Sequence, residues 1–573
     1  MSTEFNSDRL IVKWNQGASS SDIATLQAQI GVTKVTTAEQ FGIQIWDLAK
    51  GSNVDEIIAA YENDARFEYI ERDRIIRVAD VKTTSPTQEG LATISPQITT
   101  PNDPSYPQLW GLNNTGQTGG TPDADIDAPE AWDIQTGDPN LVIGVIDTGV
   151  DYNHPDLVGN IWTNPGEIPG NGIDDDNNNF IDDVRGWDFA NKDNDPMDVR
   201  GHGTHVAGTI AAKGNNSVGV TGVAWNAKIM PLKFLNDSGS GSTSNAILAL
   251  NYATAKGVKL TNNSWGGGPY SQGLYDAINT AGQQGALFIA GAGNTSKNND
   301  ITPFYPASYN LSNIISVAST DHNDALSIFN NGGSHYGLTS VDLGAPGSNI
   351  YSSIPGGNYA SYNGTSMASP HVAGAAALVW AQNPSWTAAQ VKNRIMSKAD
   401  ILSPLAAPLW RLDARRLNIF KALGGSTANN NSNLGPIQLR SASTLSPTAP
   451  ANSTETAEGE AGKDPLTGGP GADTLILPFA GSSVSHIDPV TDFVGSEKIG
   501  LPTQGGVARN APSLFSPAVN STVPTLEKGV IPVFTEANGA LAANQPQGIN
   551  SDPLRVAANP YLVGVYGPNP LGF

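Results

Sequence analysis

The sequence predicts an α/β protein. A doubly wound parallel-sheet domain over residues 101–423 follows a small βαββαβ, ferredoxin-like domain over residues 1–79 and precedes a largely irregular C-terminal segment. Three observations carry this reading. Between Asn102 and Leu423, short apolar runs alternate with helical patterns, as buried parallel strands alternate with crossover helices. Residues 8–79 hold four strand-like and two helix-like stretches in the order βαββαβ. After Gly424 the composition turns to Ser, Thr, Asn, Pro, Gly and Ala without sustained periodicity, which no packed core requires.

In the N-terminal domain, Arg9–Trp14 alternates as a strand does, and Ser21–Ile30 has helical spacing after a Ser-rich start. Strand-like stretches follow at Thr33–Thr37 and Gly42–Leu48, then a helix at Val54–Asp64 and a last strand at Phe67–Val78. Residues 80–100 are rich in Ser, Thr and Pro and read as a linker. In the larger domain the expected strands are Leu141–Asp147, Lys228–Phe234, Lys259–Asn263, Ala286–Ala290 and Ile314–Ala318. The expected helices are His202–Ala212, Thr243–Lys256, Leu274–Gln284 and Thr365–Ala381. The site of such a sheet lies at the carboxyl ends of its strands, and Asp147 falls at one. Residues 424–463 read as a flexible linker, 464–502 as a module of their own and 503–573 as an irregular tail.

With 573 residues the chain has length for two or more domains and a large core. A net charge of −22 argues against a nucleic-acid partner, which needs a basic footprint, and suits bound cations. The absence of cysteine restricts any metal site to oxygen or imidazole ligands and leaves the redox compartment open. Met1–Arg9 is polar and has no signal-peptide pattern, and no apolar run reaches the roughly 18 residues of a membrane span.

Three distant segments carry chemistry. Val145-Ile146-Asp147-Thr148-Gly149 ends an apolar run, Gly201-His202-Gly203-Thr204-His205 opens a helical pattern, and Asn363-Gly364-Thr365-Ser366-Met367-Ala368 opens another. A serine hydroxyl becomes a useful nucleophile when a histidine takes its proton, and that histidine needs a carboxylate to fix its tautomer. Helix starts supply orphan N–H groups where negative charge develops. The order Asp, His, Ser and the segments His-Gly-Thr-His-Val-Ala-Gly and Gly-Thr-Ser-Met-Ala-Ser-Pro resemble the subtilases, the subtilisin-like serine proteases, over roughly residues 101–421.

The resemblance implies a serine endopeptidase acting on protein and peptide substrates, with Ser366 as nucleophile, His202 as base and acid, and Asp147 as its orienting carboxylate. His205 is the rival within the same motif. The resemblance selects His202 and leaves His205 a structural hydrogen-bonding role. Ala290-Gly291-Ala292-Gly293-Asn294 resembles the family's oxyanion segment, with Asn294 donating from its side chain and Ser366 from its backbone. Loss of such an Asn lowers kcat by ~10²–10³, a magnitude measured within this family. Gly239-Ser240-Gly241 and Ser264-Trp265-Gly266 match the two strands that clamp extended substrate. Phe304, before Tyr305-Pro306, stands where a small residue is common and implies a shallow pocket for small or medium side chains. Residues 1–79 are expected to be a propeptide, folding chaperone and intramolecular inhibitor whose last strand ends in the active site. The maturation cut is expected in the linker 80–100.

Two calcium sites are expected. Between Asn171 and Asp183 five aspartates fall within ten positions, a repulsion that a hard cation relieves. Asp174, Asp176, Asn178 and the Phe180 carbonyl follow half of an EF-hand-like spacing, although Asn179 replaces its glycine. Asp182 or Asp183 would replace the missing terminal Glu. The alternative is a solvated acidic loop. Resemblance to thermitase-like members suggests the second site: Asp103, Asp156 and Asn216, with the carbonyls of Lys213, Val218 and Val220.

Leu466–Leu475 fits one copy of a calcium β-roll repeat. One copy has no stacked neighbour, so a Gly-rich turn in a vestigial module stands beside that reading. If functional, it would accompany export without a signal peptide and an extracellular or periplasmic location, with the cytoplasm as the alternative. A monomer is expected. The rival to an enzyme is a non-catalytic calcium-binding exoprotein built on the same scaffold.

Overall fold

The computed structural model describes residues 4–78, 81–82, 99–330, 332–402 and 415–425, together with the backbone of seven short strands between 456 and 564. The N-terminal domain runs strand Phe5–Trp14, helix Ser20–Ile30, strands Val32–Ala38 and Ile43–Leu48, helix Val54–Tyr61 and strand Phe67–Val78. Ser19 caps the first helix by accepting from the Asp22 N–H, and Gly31 ends it in the left-handed conformation. The second helix stops earlier than Asp64 because Asp64 turns the chain, its carboxylate accepting from the Arg66 N–H at 3.0 Å. The strands pair antiparallel in the spatial order last, first, third, second. Leu10, Val12, Leu26, Trp46, Phe67 and Ile70 fill the space between sheet and helices.

The larger domain is built on nine strands. In spatial order they are Asp400–Ile401, Arg415–Arg416, Leu343–Pro346, Ile314–Thr320, Leu287–Gly291, Leu260–Asn263, Val142–Asp147, Lys228–Lys233 and Trp187–Asp188. All neighbours pair in parallel except the edge strand Asp400–Ile401. The five expected strands are present within one or two residues at either end.

Helices His202–Ala211, Thr365–Gln382 and Ala388–Lys398 share one core with Ile143 and Val145. Helices Thr243–Ala255 and Gln272–Gln283 share another with Ile146, Phe288 and Ala290. Ile11, Ile43, Ile45 and Ile76 of the N-terminal sheet enter this second core, so the small domain seats its outer sheet face on those two helices.

The C-terminal unit, residues 429–573, is separate. Its strands Thr456–Glu458, Thr474–Ile476 and Lys498–Leu501 pair in parallel, and Arg509–Asn510 adds antiparallel. Four short strands fall within 503–573, where the sequence has no sustained period. Leu466–Asp473 of the β-roll-like segment lies outside the described residues, as does the linker from 426 to 455.

Candidate active site

Asp147 ends a central strand, and His202 is the first residue of the helix His202–Ala211. Bringing them together requires the helix start to press against the loop after the strand. A Cβ at Gly203 would lie 2.0 Å from the Gly149 carbonyl, so only glycine allows the approach. The Asp147 Oδ1 then accepts from His202 Nδ1 at 2.7 Å and from the Thr148 N–H at 2.7 Å. Donation from Nδ1 to the carboxylate fixes the tautomer that leaves Nε2 as the basic nitrogen.

The helix has no side-chain cap of its own, since its N-cap is Gly201. Asp198, which sequence reasoning missed, replaces one. Its buried carboxylate accepts from the N–H groups of Gly201 and Thr204 at 2.9 Å each and from the hydroxyls of Thr204 (2.7 Å) and Thr148 (3.0 Å). It thereby ties the His202 helix to the loop after Asp147. Burial pushes its pKa up, against these hydrogen bonds.

Ser366 is the second residue of the helix Thr365–Gln382, where backbone N–H groups have no intrahelical acceptor. Its Oγ donates to the Ser264 carbonyl at 3.1 Å, and the Ser264 hydroxyl donates to the Ser366 carbonyl at 2.9 Å. Asp147, His202 and Ser366 are all buried. Asn294, also buried, accepts through Oδ1 from the Thr365 N–H at 2.9 Å and the Thr365 hydroxyl at 3.0 Å. Its amino end is therefore turned away from Thr365.

His205 behaves differently from His202. Its Nε2 bonds the carbonyls of Ile350 (2.8 Å) and Ala360 (3.1 Å), its ring stacks on Tyr362, and burial drives its pKa down to about 3. It fastens the hairpin Ile350–Ile354/Asn358–Asn363 to the helix that starts with His202.

Gly239, Ser240, Gly241, Ser264, Trp265 and Gly266 meet around the end of the N-terminal domain. The strand Phe67–Val78 runs antiparallel between Ser240–Ser242 and Trp265–Gly266, with Arg77 opposite both Ser240 and Gly266 and Val78 opposite Trp265. The Val78 N–H also donates to the Gly239 carbonyl at 3.1 Å. The Trp265 indole is anchored on the Ile146 carbonyl at 2.8 Å. Beside this strand, Phe304 closes on Gly266: a Cβ there would meet the ring at 2.4 Å. Pairing resumes at Val81–Lys82, antiparallel to the outer strand of the hairpin, with Val81 opposite Asn363 and Lys82 opposite Tyr362.

Two carboxylates of the same N-terminal strand grip the helices below. Glu71 accepts from the Ser271 hydroxyl (2.6 Å) and from the N–H groups of Gln272 and Gly273 (3.0 Å each), at the start of Gln272–Gln283. Asp73 accepts from the Ser244 N–H and hydroxyl at 2.8 Å each, at the start of Thr243–Ala255. Being two apart in a strand they share one face, a signal legible only once both helix starts were known.

Of the expected calcium ligands, Asp103, Asp156 and Asn216 come together from three segments. Asp103 accepts from the N–H groups of Asn215 (2.7 Å) and Asn216 (3.0 Å). Asp156 accepts from the Asn216 amide (3.0 Å), the Val220 N–H (2.9 Å) and the Tyr359 hydroxyl (2.8 Å). The Val218 N–H bonds the Asn216 amide oxygen at 2.7 Å, and the Lys213 N–H bonds the Asp156 carbonyl at 2.8 Å. These donors are neutral. Burial, with the like charge of Asp156 adding to it, raises the Asp103 pKa. Two buried carboxylates with neutral partners fit a hard cation.

The acidic loop is arranged otherwise than its EF-hand-like spacing suggested. Asp174 turns to the N–H groups of Asn178 (3.0 Å) and Asn179 (2.7 Å), and Asp182 to those of Asn171 (3.1 Å) and Gly172 (2.9 Å). The Phe180 ring packs edge-on against Trp187, Phe189 and Tyr252. The carboxylates that converge are Asp176, Asp183 and Glu167, with ligand atoms within 4.8 Å of one another. Glu167 lies outside the spacing and was not expected. Lys256 pairs with Asp176 and lies 3.4 Å from Asp183, and Tyr252 donates to Asp183. Asn178 donates to Asp183 at 2.8 Å. Burial opposes ionisation of Asp176, but Lys256 and Asn164 outweigh it and lower the pKa. Asp176 Oδ1 is buried without a hydrogen-bond partner, an orphan that a cation would satisfy, although Lys256 already supplies one positive charge.

A doubly wound parallel sheet whose strand ends are covered by a βαββαβ domain is the arrangement of a subtilisin-type serine peptidase with its prodomain. The chain belongs to the subtilase family, whose sequence profile matches residues 138–436, and the fervidolysin N-terminal prodomain profile matches residues 2–73. It is 40% identical over 325 residues to thermitase of Thermoactinomyces vulgaris, covering 56% of this chain and 99% of that one. It is 34% identical over 395 residues to the thermophilic serine proteinase of Bacillus sp. strain AK1, covering 69% and 82%. The crystal structure of fervidolysin from Fervidobacterium pennivorans shares the fold, with a TM-score of 0.55 at 24% identity over 74% of this chain and 62% of that one. No helix among the described residues is long and apolar enough to cross a membrane.

Proposed function

We propose that the protein is a calcium-stabilised endopeptidase made as a zymogen, cleaving peptide bonds in extended segments through a Ser366 acyl-enzyme. The observation that carries this is the 2.7 Å contact of Asp147 with His202 Nδ1, on a helix that shares its core with the helix bearing Ser366. The Ser366 hydroxyl attacks the substrate carbonyl while His202 takes its proton, and Asp147 stabilises the imidazolium. The oxyanion is held by the Ser366 N–H and the Asn294 amino group, whose direction Thr365 sets. His202 returns the proton to the leaving amine, and water then hydrolyses the ester by the reverse sequence.

Ser240–Ser242 and Trp265–Gly266 bind the substrate main chain as a middle strand, and Phe304 restricts the residue before the cut bond to a small or medium side chain. Calcium, when bound, neutralises buried carboxylates and pins the loops that carry them. Asp103, Asp156 and Asn216 would hold one ion, with carbonyls of Lys213, Val218 and Val220; Glu167, Asp176 and Asp183 are the candidates in the acidic loop. The N-terminal domain occupies the substrate groove and acts as the intramolecular inhibitor. Action outside the cytoplasm is consistent with a prodomain that keeps the site covered during synthesis.

Casein hydrolysis by wild type and Ser366→Ala, each with millimolar calcium or a chelator, tests the reading. Activity is expected only in calcium-loaded wild type, together with loss of the N-terminal domain. Equal behaviour of the two chains would move the assignment to a calcium-binding scaffold.

A further inference from the structure

We infer that His335 is a positioning residue that holds the turn carrying Asn294 from behind and props the pocket wall Phe304, one imidazole serving both. The inference rests on the proposed reading of Ser366 as nucleophile and Asn294 as oxyanion donor. Thr365 fixes the Asn294 side chain, but the turn that carries it, Ala292 to Thr295, is held by another part of the chain. The His335 N–H donates to the Gly293 carbonyl at 2.7 Å, and His335 Nε2 meets the Thr295 hydroxyl at 2.8 Å. The residue before Asn294 and the residue after it are thus both bonded to His335. The ring lies on the backbone of that turn: a Cβ at Gly293 would be 2.5 Å from Nδ1. Neighbours of His335 continue the contact, the Gly333 carbonyl accepting from the Ser296 N–H at 2.8 Å and the Tyr336 carbonyl from the Asn299 N–H at 2.7 Å.

The proton on the ring is placed by its neighbours. Asn299 donates its side-chain N–H to the Ala292 carbonyl at 2.9 Å, which turns its Oδ1 toward His335 Nδ1 at 2.8 Å. Nδ1 therefore carries the hydrogen, and Nε2 accepts from Thr295. The ring is buried, and burial, with the charge of Lys297 adding to it, pushes its pKa down to about 4. At neutral pH it is uncharged and keeps the acceptor that the Thr295 hydroxyl uses. The same ring packs edge-on to Phe304, with centroids 5.3 Å apart. Phe304 also meets Gly266, its ring 2.4 Å from where a Cβ would be, so its position is set by Gly266 and His335 together.

No bond is made to His335 in the reaction. As the substrate carbonyl carbon becomes tetrahedral, negative charge gathers on its oxygen, and the Asn294 amino group has to meet it at hydrogen-bond distance. A turn free to shift weakens that contact in the transition state and leaves binding of the planar ground state little changed. Loss of the polar contacts of His335 should therefore appear in kcat. Loss of its ring should appear in the choice of side chain before the cut bond, which Phe304 restricts.

The test uses the full-length chain, refolded with calcium and allowed to mature, on peptide pairs that differ only in Ala or Phe before the cut bond. His335→Phe keeps a ring against Phe304 and loses the imidazole's polar contacts. Its kcat should fall on the order of tenfold, with KM and the preference for Ala over Phe near those of wild type. His335→Gln keeps an amide oxygen within reach of Thr295 and has no ring. Its kcat should fall less, and its preference for Ala should drop about fivefold. Thr295→Val, at an exposed position, removes the hydroxyl without touching the imidazole, and stands in for His335→Phe should that chain not fold. It should lower kcat as well, and add little to His335→Phe in the double variant. A Thr295→Val chain with wild-type kcat, or two His335 variants that lose kcat and preference together, overturns the assignment, while peptide hydrolysis by wild type leaves the reading of Ser366 standing. A wild-type chain that hydrolyses no peptide removes both.

Discussion

The amide oxygen of Asn294 is held by Thr365, the residue next to Ser366, through its backbone N–H at 2.9 Å and its hydroxyl at 3.0 Å. In the proposed mechanism, the oxyanion donor is therefore aimed by the same helix turn that presents the nucleophile. Asn294→Ala should slow the first self-cleavage by ~10²–10³, the magnitude measured for such an Asn in this family. Thr365→Val, which keeps the N–H contact and loses the hydroxyl, should cost less, about tenfold for one neutral hydrogen bond. Equal losses in the two variants would mean that Thr365 does more than aim the amide.

Asp147→Asn replaces a carboxylate that only accepts by an amide that can also donate, so the His202 tautomer is no longer fixed. The rate of self-cleavage should fall on the order of 10⁴, and a kcat loss of that size has been measured for this carboxylate in subtilisin. His205→Gln should leave that rate within about tenfold of wild type, because His205 binds hairpin carbonyls rather than the reacting groups. It should instead lower thermal stability, by ~1–3 kcal/mol for the unmade buried hydrogen bonds. A rate collapse in His205→Gln with stability intact would reverse the two assignments.

Glu71 and Asp73 hold the N-terminal domain on two helix starts. Replacing both by Ala should weaken that grip by ~1.5–3 kcal/mol per charged hydrogen-bonded group. The covered site should then open earlier: after self-cleavage, casein hydrolysis should appear sooner in the double variant than in wild type. An unchanged lag would show that burial of Ile11, Ile43 and Ile76 alone sets release.

Chelation should lower the melting temperature of the Ser366→Ala chain, which cannot digest itself. Asp103→Asn and Asp156→Asn should each reduce the calcium-dependent part of that shift. Glu167→Gln should reduce it as well if the acidic loop holds an ion beside Lys256. A shift that survives Asp103→Asn and Asp156→Asn but vanishes with Glu167→Gln would place the stabilising ion in the acidic loop alone.

Burial drives the pKa of His205 down to about 3 and that of His371 to about 4. In the unfolded chain both titrate near ~6.5. Below that pH the unfolded chain binds protons that the folded one refuses. Stability present above ~6.5 is lost as pH falls toward 4, by up to ~1.4 kcal/mol per pH unit for each histidine. Urea midpoints of Ser366→Ala at pH 7, 6 and 5 measure this, and His371→Gln should flatten the slope by up to one proton. An unaltered slope would show that His371 is not a source of the pH dependence.

The parts of this chain that were legible in sequence are those whose residue types are fixed by a local demand. Val142–Asp147 and Ile314–Thr320 are buried on both faces and read as apolar runs. The segments around Asp147, His202, Asn294 and Ser366 carry chemistry that few residues supply. The hairpin Ile350–Ile354/Asn358–Asn363 was missed because its Ser, Tyr, Asn and Gly residues lack an apolar run, its partners being His205 and the chain at Val81. The helix Ala388–Lys398 announces itself by a capping box, Thr387 with Gln390, and that signal was overlooked rather than absent. Glu71 and Lys256 owe their roles to Ser271 and Asp176, far away in sequence, and Asp198 ties the start of the His202 helix to the distant Thr148, while Glu167 joins Asp176 and Asp183 from outside the spaced loop; no local pattern marks them. In the acidic loop the spacing misled because Asp174 and Asp182 spend their oxygens on backbone N–H groups of tight turns, leaving convergence to Glu167.

The strand Phe67–Val78 lies between two short edges, Ser240–Ser242 and Trp265–Gly266, as the middle member of three. Once it departs, those edges face each other across a slot ~10 Å wide, two interstrand spacings, that accepts a single naked backbone. A segment already paired in a sheet or wound in a helix has no backbone hydrogen bonds to offer. If those edges bind substrate as proposed, such an enzyme would select its prey by how often a stretch of it peels free, and the half-life of a protein beside it would follow that protein's local unfolding more closely than its sequence.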